Sequence, residues 1–259
     1  MSAVLTTREG AVATVTLNLP DVRNAMGPAL IAGLTEAFTV LAADDGCRVV
    51  VLTGAGSAFC AGADLAWMQA SRDLTEAENV ADAGLAQAML EAVDTCPKAV
   101  IARVNGPAMG GGAGLVACAD IAVAADDARF AFSEARLGLI PAMISPYVLR
   151  AIGPGQTRAL FTSARVFDAA EALRLGLVHE VVPGDRLDET VVAWARALLD
   201  TGPQAVAECK RLVRDASAGL SLPDLAERIA RARASAEGQE GVGAFLEKRK
   251  PQWTRSAGS

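Results

Sequence analysis

The sequence predicts an α/β fold followed by a helical region, and three observations carry that prediction. Short β-prone apolar runs alternate with stretches whose apolar residues recur at helical spacing. Glycine-containing corners stand between them, at 57–65 and 105–115. From about Asp185 onward the chain reads as amphipathic helices, with charge on one side and Leu, Val, Ala and Ile on the other. At 259 residues the chain can bury a large core.

Residues 4–8 and 11–17 flank Glu9-Gly10 and predict a β-hairpin, closed by Pro20. Pro28 suits the first turn of a helix, and Leu30, Ile31, Leu34, Phe38 and Leu41 follow at helical spacing. Asp44-Asp45-Gly46 stops it. Residues 48–53 contain Val-Val-Val-Leu, the unbroken apolar run of a strand buried on both faces. The corner 57–65 then leads into a helix. Residues 75–93 predict a long helix halted by Cys96-Pro97. The run 99–104 is a strand, followed by the glycine cluster and a helix over 115–119. Residues 121–125 and 128–132 predict two more strands. Continued to 134, the second would turn Phe130, Phe132 and Glu134 to one face. Beyond Gly138, Pro141, Pro146 and Gly153-Pro154-Gly155 cut the chain into short segments. Helical pieces are expected at 159–162 and 169–175, and a last strand at 178–182. The terminal helices suit subunit contacts or folding back on the core.

The totals exclude several functions. A net charge of −6 argues against a nucleic-acid partner, which calls for a basic face. Residues 1–10 are too polar for a signal peptide. The longest uncharged stretch, 104–119, is interrupted by Pro107 and five glycines, so no membrane span is expected. The five cysteines, Cys47, Cys60, Cys96, Cys118 and Cys209, include no C-x-x-C pair. They read as reduced thiols of a cytoplasmic protein.

Chemistry centres on the cluster from Asn105 to Gly114. Glycines between strand and helix let main-chain N–H groups approach a ligand, at the partly positive end of the helix. A phosphate-binding P-loop needs Gly-Lys-Ser/Thr, and no lysine lies between Lys98 and Lys210. Gly112, Gly114 and Ala117 spell G-x-G-x-x-A with Glu134 downstream, but too far from their strand for a dinucleotide fingerprint. A plain turn stays open. With the corner at 57–65, backbone donors could converge from two directions, as an oxyanion hole requires. Glu134, on an apolar face, is expected to have a raised pKa suited to proton transfer; a surface pair with Arg136 is the alternative. The single histidine, His179, lies in a valine-rich run far from both corners, which disfavours a Ser-His-Asp triad. A packing role is expected for Tyr147, and a metal ligand set is absent from the sequence pattern. Two donor corners and one carboxylate suit a reaction through an enolate.

In order and spacing, Arg23-Asn24-Ala25-Met26, Ala58 to Leu65, Asn105 to Gly112, Ala119-Asp120-Ile121, Ser133 to Pro141 and Phe245 to Arg249 resemble the enoyl-CoA hydratase/isomerase (crotonase) superfamily over nearly the whole chain. The resemblance implies a spiral of ββα turns over residues 1–190 and a helical trimerisation region over 191–259. It implies a homotrimer or dimer of trimers, and an acyl-CoA substrate with no metal or redox cofactor. The oxyanion hole maps onto the N–H groups of Ala63 and Gly111, with Glu134 as the acid–base group. CoA would lie against Arg23, Asn24 and Ala25 and against Ala61, Gly62, Asp64 and Leu65, with Gly110 and Gly114 beside them. Lys248, expected in the C-terminal helix, would reach a neighbouring subunit's CoA phosphate.

Typical hydratases of that superfamily carry a further glutamate three residues after the oxyanion glycine; here the position is Gly114. The run Gly138 to Val148 resembles bacterial methylglutaconyl-CoA hydratases, so hydration is the favoured reaction. Gly114 keeps two alternatives open, a Δ3,Δ2-enoyl-CoA isomerase using Glu134 alone and a catalytically idle acyl-CoA-binding protein. The segment 67–78 is expected at the acyl end, where Arg72 could meet a distal carboxylate.

Overall fold

A computed structural model describes residues 2–217, 219 and 221–254. Strand β1 (Val4–Glu9) pairs antiparallel with β2 (Val12–Leu17), the expected hairpin. From β2 the sheet runs parallel through β3 (Val49–Gly54), β4 (Ala99–Val104), β6 (Ile121–Ala125) and β9 (Glu180–Val182). A smaller sheet holds β5 (Ala108–Met109), β7 (Arg129–Ala131) and β8 (Phe167–Asp168).

The two sheets are linked turn by turn. In β4–β5–α4 and in β6–β7–α5, the first strand joins the large sheet and the second the small one. Helix α4 (Gly111–Cys118) or α5 (Ser145–Ser163) then returns the chain. Isolated bridges Met26↔Ala63 and Cys60↔Ala108 continue the small sheet backwards, ahead of α1 (Pro28–Ala43) and α2 (Leu65–Ala70). Successive turns therefore stack residue 26, residues 60–63, β5 and β7 side by side. This is the ββα spiral.

The central strands β3 and β4 are buried on both faces, as their apolar runs require, while the edge strand β1 is exposed beyond Val4. Val50 and Leu52 of β3 face the main core with Val100, Ala102, Leu34, Phe38 and Leu90. Val49 and Val51 face a second core with Ile101, Val123 and the side chains Leu187, Val191 and Ala195. Those three belong to α7 (Leu187–Leu199), so the first helix past Asp185 folds back on the sheet. The expected division at 190/191 falls inside that helix. Helix α8 (Pro203–Ser217) is tied down by Lys210, whose Nζ donates to Lys98 O at 2.9 Å and to Asp120 Oδ2 at 2.7 Å. Helix α9 (Leu222–Ala234) and α10 (Ala236–Leu246) follow, and residues 255–259 of the expected terminal region lie outside the described residues.

Three local expectations are corrected. Helix α4 begins at Gly111, not after the glycines, because those glycines pack against neighbouring backbone and side chains. Strand β7 stops at Ala131: Ser133 has φ −91° and ψ −1°, and Glu134 opens a 3₁₀ turn, Glu134–Leu137. Helical structure, expected only at 159–162, fills Ser145–Ser163 in two segments that break, as the glycines and proline predict, at Gly153, whose φ 72° and ψ 165° are not helical. Pro154 cannot donate to the preceding turn but suits the start of a new one. The long helix expected at 75–93 is α3 (Glu76–Asp94), opened by a Thr75/Glu78 capping box.

Candidate active site

The first corner is braced by residues 23–26. Arg23 and Asn24 hold left-handed φ values of 52° and 56°, uncommon for residues with a Cβ. Asn24 is 0% exposed, and its bonds explain the conformation. Its Nδ2 donates to Ala55 O and Ala58 O at 2.9 Å and to Phe59 O at 3.2 Å, while Oδ1 accepts Leu19 N–H at 2.9 Å. The Asn24 side chain thus holds the corner together. Ala61 N–H donates to Arg23 O at 2.9 Å, so Arg23 to Ala25 run beside Ala61 to Asp64. Arg23 is exposed, and Ala25 and Ala61 are half-buried.

Met26 N–H donates to Gly62 O at 2.7 Å, and Asp64 N–H donates to Met26 O at 2.9 Å. In a parallel bridge of this kind the residue between the two bonds, Ala63, turns its own N–H away from Met26. That amide has no acceptor among the described residues, and Ala63 is exposed. The Asp64 carboxylate accepts Trp67 N–H at 2.9 Å as the N-cap of α2, so this group serves the helix. Leu65 is 81% exposed in the first turn.

The second corner meets the first along Met109 and Cys60. Met109 N–H donates to Cys60 O at 2.9 Å, and Gly110 N–H donates to Ala131 O at 2.8 Å. Gly110, at φ +50°, ends β5 and turns the chain into α4. Gly111 N–H, at the first helical position, likewise has no acceptor among the described residues. Open amides at a helix start carry the positive end of its dipole.

The Glu134 carboxylate lies against this corner. A Cβ placed on Gly110 would stand 3.1 Å from Glu134 Oε1. Glu134 is half-buried, and its Oε2 is buried without a hydrogen-bond partner. Desolvation pushes its pKa above the usual carboxylate range. Behind it, Phe132 packs edge-on against Phe161 with ring centroids 5.1 Å apart. The alternative, a pairing with Arg136, is not made: Arg136 donates to Ala164 O at 2.9 Å.

Gly114 sits one turn into α4, where an added Cβ would lie 2.1 Å from Ile144 Cγ2. Ile144, ahead of α5, fills the space a side chain at 114 would need; nothing local in the sequence signals that contact. Gly114 itself is buried. Lys248, contrary to expectation, lies past the end of α10, at φ 53°.

The remaining reactive groups are accounted for. His179 Nδ1 accepts Ala122 N–H at 2.9 Å, and burial lowers its pKa, so it is a neutral brace of β6. All five cysteines are free, and burial pushes the Cys60 thiol up to about 11. Tyr147 is raised to about 12 by burial, with the Arg150 guanidinium 5.7 Å above its ring. A cavity of about 430 Å³ opens at the opposite end of α4. Its carboxylates Asp94 and Asp120 are ion-paired with Arg150 and Lys210, and α4 turns its carbonyl end toward it. That end offers no donors to an oxyanion. Among the described residues no group of metal-ligating side chains occurs, and no helix is long and apolar enough to cross a membrane.

Residues 7–256 match the enoyl-CoA hydratase/isomerase family. The chain belongs to this family. Among solved structures, an enoyl-CoA hydratase from Shewanella pealeana superposes with a TM-score of 0.94 at 39% identity, covering 97% of this chain and 96% of that one. AtuE of Pseudomonas aeruginosa gives a TM-score of 0.93 at 37% identity, covering 97% and 99%. A crotonyl-CoA hydratase of Syntrophomonas wolfei is 33% identical over 254 residues, 95% of this chain and 96% of its own length. As a member of the family, the chain has the crotonase fold, with helices in its C-terminal part.

Proposed function

We propose that this protein is an enoyl-CoA hydratase, adding water across the C2=C3 bond of an enoyl-CoA thioester. The observation that carries the reading is the half-buried Glu134 carboxylate, one oxygen unpartnered, against Gly110, the residue before the open amide of Gly111. Relatives named as hydratases support it. The thioester oxygen accepts the N–H groups of Ala63 and Gly111. Glu134 takes a proton from water, the oxygen bonds to C3, and the C2=C3 electrons pass to the thioester as an enolate held by the two amides. Glu134 then returns the proton to C2, giving syn addition. A carboxyl whose pKa is raised by desolvation serves both steps.

CoA enters as part of the substrate, with no metal or redox cofactor, and lies along Arg23 to Ala25 and Ala61 to Leu65. The assembly is a homotrimer or dimer of trimers in which Lys248 reaches a neighbour's CoA phosphate. Exposed apolar side chains on α10 support that assembly, Phe245 at 82% and Leu246 at 72%. The free thiols support a cytoplasmic location. The acyl group is of the methylglutaconyl type, on the likeness of residues 138–148, with Arg72 for its distal carboxylate.

One observation favours a second reading: with Ile144 over Gly114, Glu134 is left without a carboxylate across from it, and a lone carboxylate suffices for a Δ3,Δ2-isomerase. Ultraviolet absorbance separates the readings. Hydration of crotonyl- or methylglutaconyl-CoA bleaches the enoyl thioester band. Isomerisation of a 3-enoyl-CoA creates it. We expect bleaching; binding without change under all three substrates would refute catalysis.

A further inference from the structure

We propose that Met26 is a positioning residue that holds the Ala63 and Gly111 amides at a fixed separation. The inference rests on the enoyl-CoA reading of those two amides. Met26 touches both of them by different means. Its main chain straddles Ala63, donating to Gly62 O at 2.7 Å and accepting from Asp64 N–H at 2.9 Å. Its side chain reaches past that turn of the spiral to Gly111. A Cβ on Gly111 would stand 3.1 Å from both Sδ and Cε of Met26, so the thioether is the surface against which the first residue of α4 rests. The side chain is 5% exposed.

Met26 cannot drift to accommodate a change. Two residues before it, Asn24 is fixed by its buried bonds to Leu19, Ala55, Ala58 and Phe59. Two residues after it, Pro28 opens α1. The thioether is thus a spacer anchored at its root, with one oxyanion donor beside its backbone and the other at its tip. Removing the tip leaves a void beneath Gly111, into which the start of α4 settles, and the two amides no longer meet one oxygen. CoA lies along other residues, so the loss falls on turnover rather than on binding.

The test compares Met26→Ala, Met26→Val and Met26→Leu with the full-length wild type, each first checked for folding by circular dichroism. Two readouts are taken: kinetics on crotonyl-CoA, and the red shift of a bound cinnamoyl thioester of CoA, whose absorption reports polarisation of its carbonyl. A misplaced donor of this kind lowers kcat by about tenfold to a hundredfold. Met26→Ala is expected to show that loss with little change in KM, and a smaller red shift. Met26→Leu, of similar volume, recovers most of both. A folded Met26→Ala with wild-type kcat and red shift overturns the proposal, as does a rise in KM alone. If Met26→Ala does not fold, Val against Leu decides: equal kcat and equal shift overturn it. Wild-type protein that binds the cinnamoyl thioester with no red shift refutes the hydratase reading itself; a wild-type shift kept in the folded variants refutes only the role of Met26.

Discussion

Gly114→Ala tests the contact that removes the family's other carboxylate from this chain. The added methyl would lie 2.1 Å from Ile144 Cγ2 and 2.8 Å from Ile144 Cβ. Ile144 is 3% exposed, and its backbone O is held by Val148 N–H at 3.1 Å, so it has little room to retreat. Overpacking a core by one methyl costs about 1–3 kcal/mol, and so close an approach belongs at the upper end. Alanine in place of glycine inside a helix offsets about 1 kcal/mol. The net loss is therefore about 2 kcal/mol, or a Tm lower by roughly 4–8 °C for a chain of this size. The assay is thermal and urea denaturation of the wild type, Gly114→Ala, Ile144→Ala and the double variant. Ile144→Ala alone leaves a cavity and costs about 2–5 kcal/mol. In its background the methyl at 114 partly fills the void, so the two changes couple by about 1 kcal/mol or more. A Gly114→Ala protein as stable as wild type, or strict additivity in the double variant, would refute the steric account and leave the glycine unexplained.

Three other outcomes follow from the same structure. Glu134→Gln should lower kcat by about 10²–10⁴ while leaving Tm equal or higher, because the desolvated site disfavours the ionised carboxylate and the amide carries no charge. Its pKa is raised in the fold, so stability is lost as pH rises from the unfolded toward the folded pKa, and kcat/KM should rise with pH above the usual glutamate range; an ordinary acid limb refutes this. Asn24→Ala removes buried bonds to four main-chain groups and should cost about 2–4 kcal/mol in urea denaturation. His179 has its pKa lowered, so the stability it contributes is present above its unfolded pKa and is lost as pH falls through the folded one. His179→Ala should abolish that part of the stability–pH slope and leave turnover unchanged.

Periodicity carried much of the fold. The hairpin, helix α1 with Pro28 in its opening turn and apolar residues at helical spacing, and the buried run of β3 are local signals, and the structure contains each. What local pattern missed is non-local. The glycines at 112 and 114 answer to Cys60 and Ile144, which are distant along the chain, so the start of α4 could not be placed from composition. Glu134 was expected at the end of a strand because alternation places it with Phe130 and Phe132, yet the chain turns at Ser133. The side chains of Asn24 and Asp64 are an anchor and a cap, roles that composition does not reveal, since a polar side chain in a corner serves backbone groups first.

With polar side chains engaged in this way, a chain whose single histidine is a brace elsewhere still builds a site for acid–base chemistry. The donors come from backbone and the spacer from a side chain at neighbouring places in successive spiral turns, Met26, Ala63 and Gly111, each in or just after a small-sheet strand or bridge and at or near the start of the next helix. Side-chain chemistry is then needed at one point only, where the following turn brings Glu134 against Gly110. A geometry made of repeated backbone corners constrains residue size more than residue polarity. Small residues must stand at 110, 111 and 114, and a filler must stand at 26 and 144. Changes of volume at these positions should therefore disturb the site more than changes of charge at the exposed CoA-facing residues such as Arg23, and comparing Ile144→Ala with Arg23→Ala for loss of kcat puts that ranking to the test.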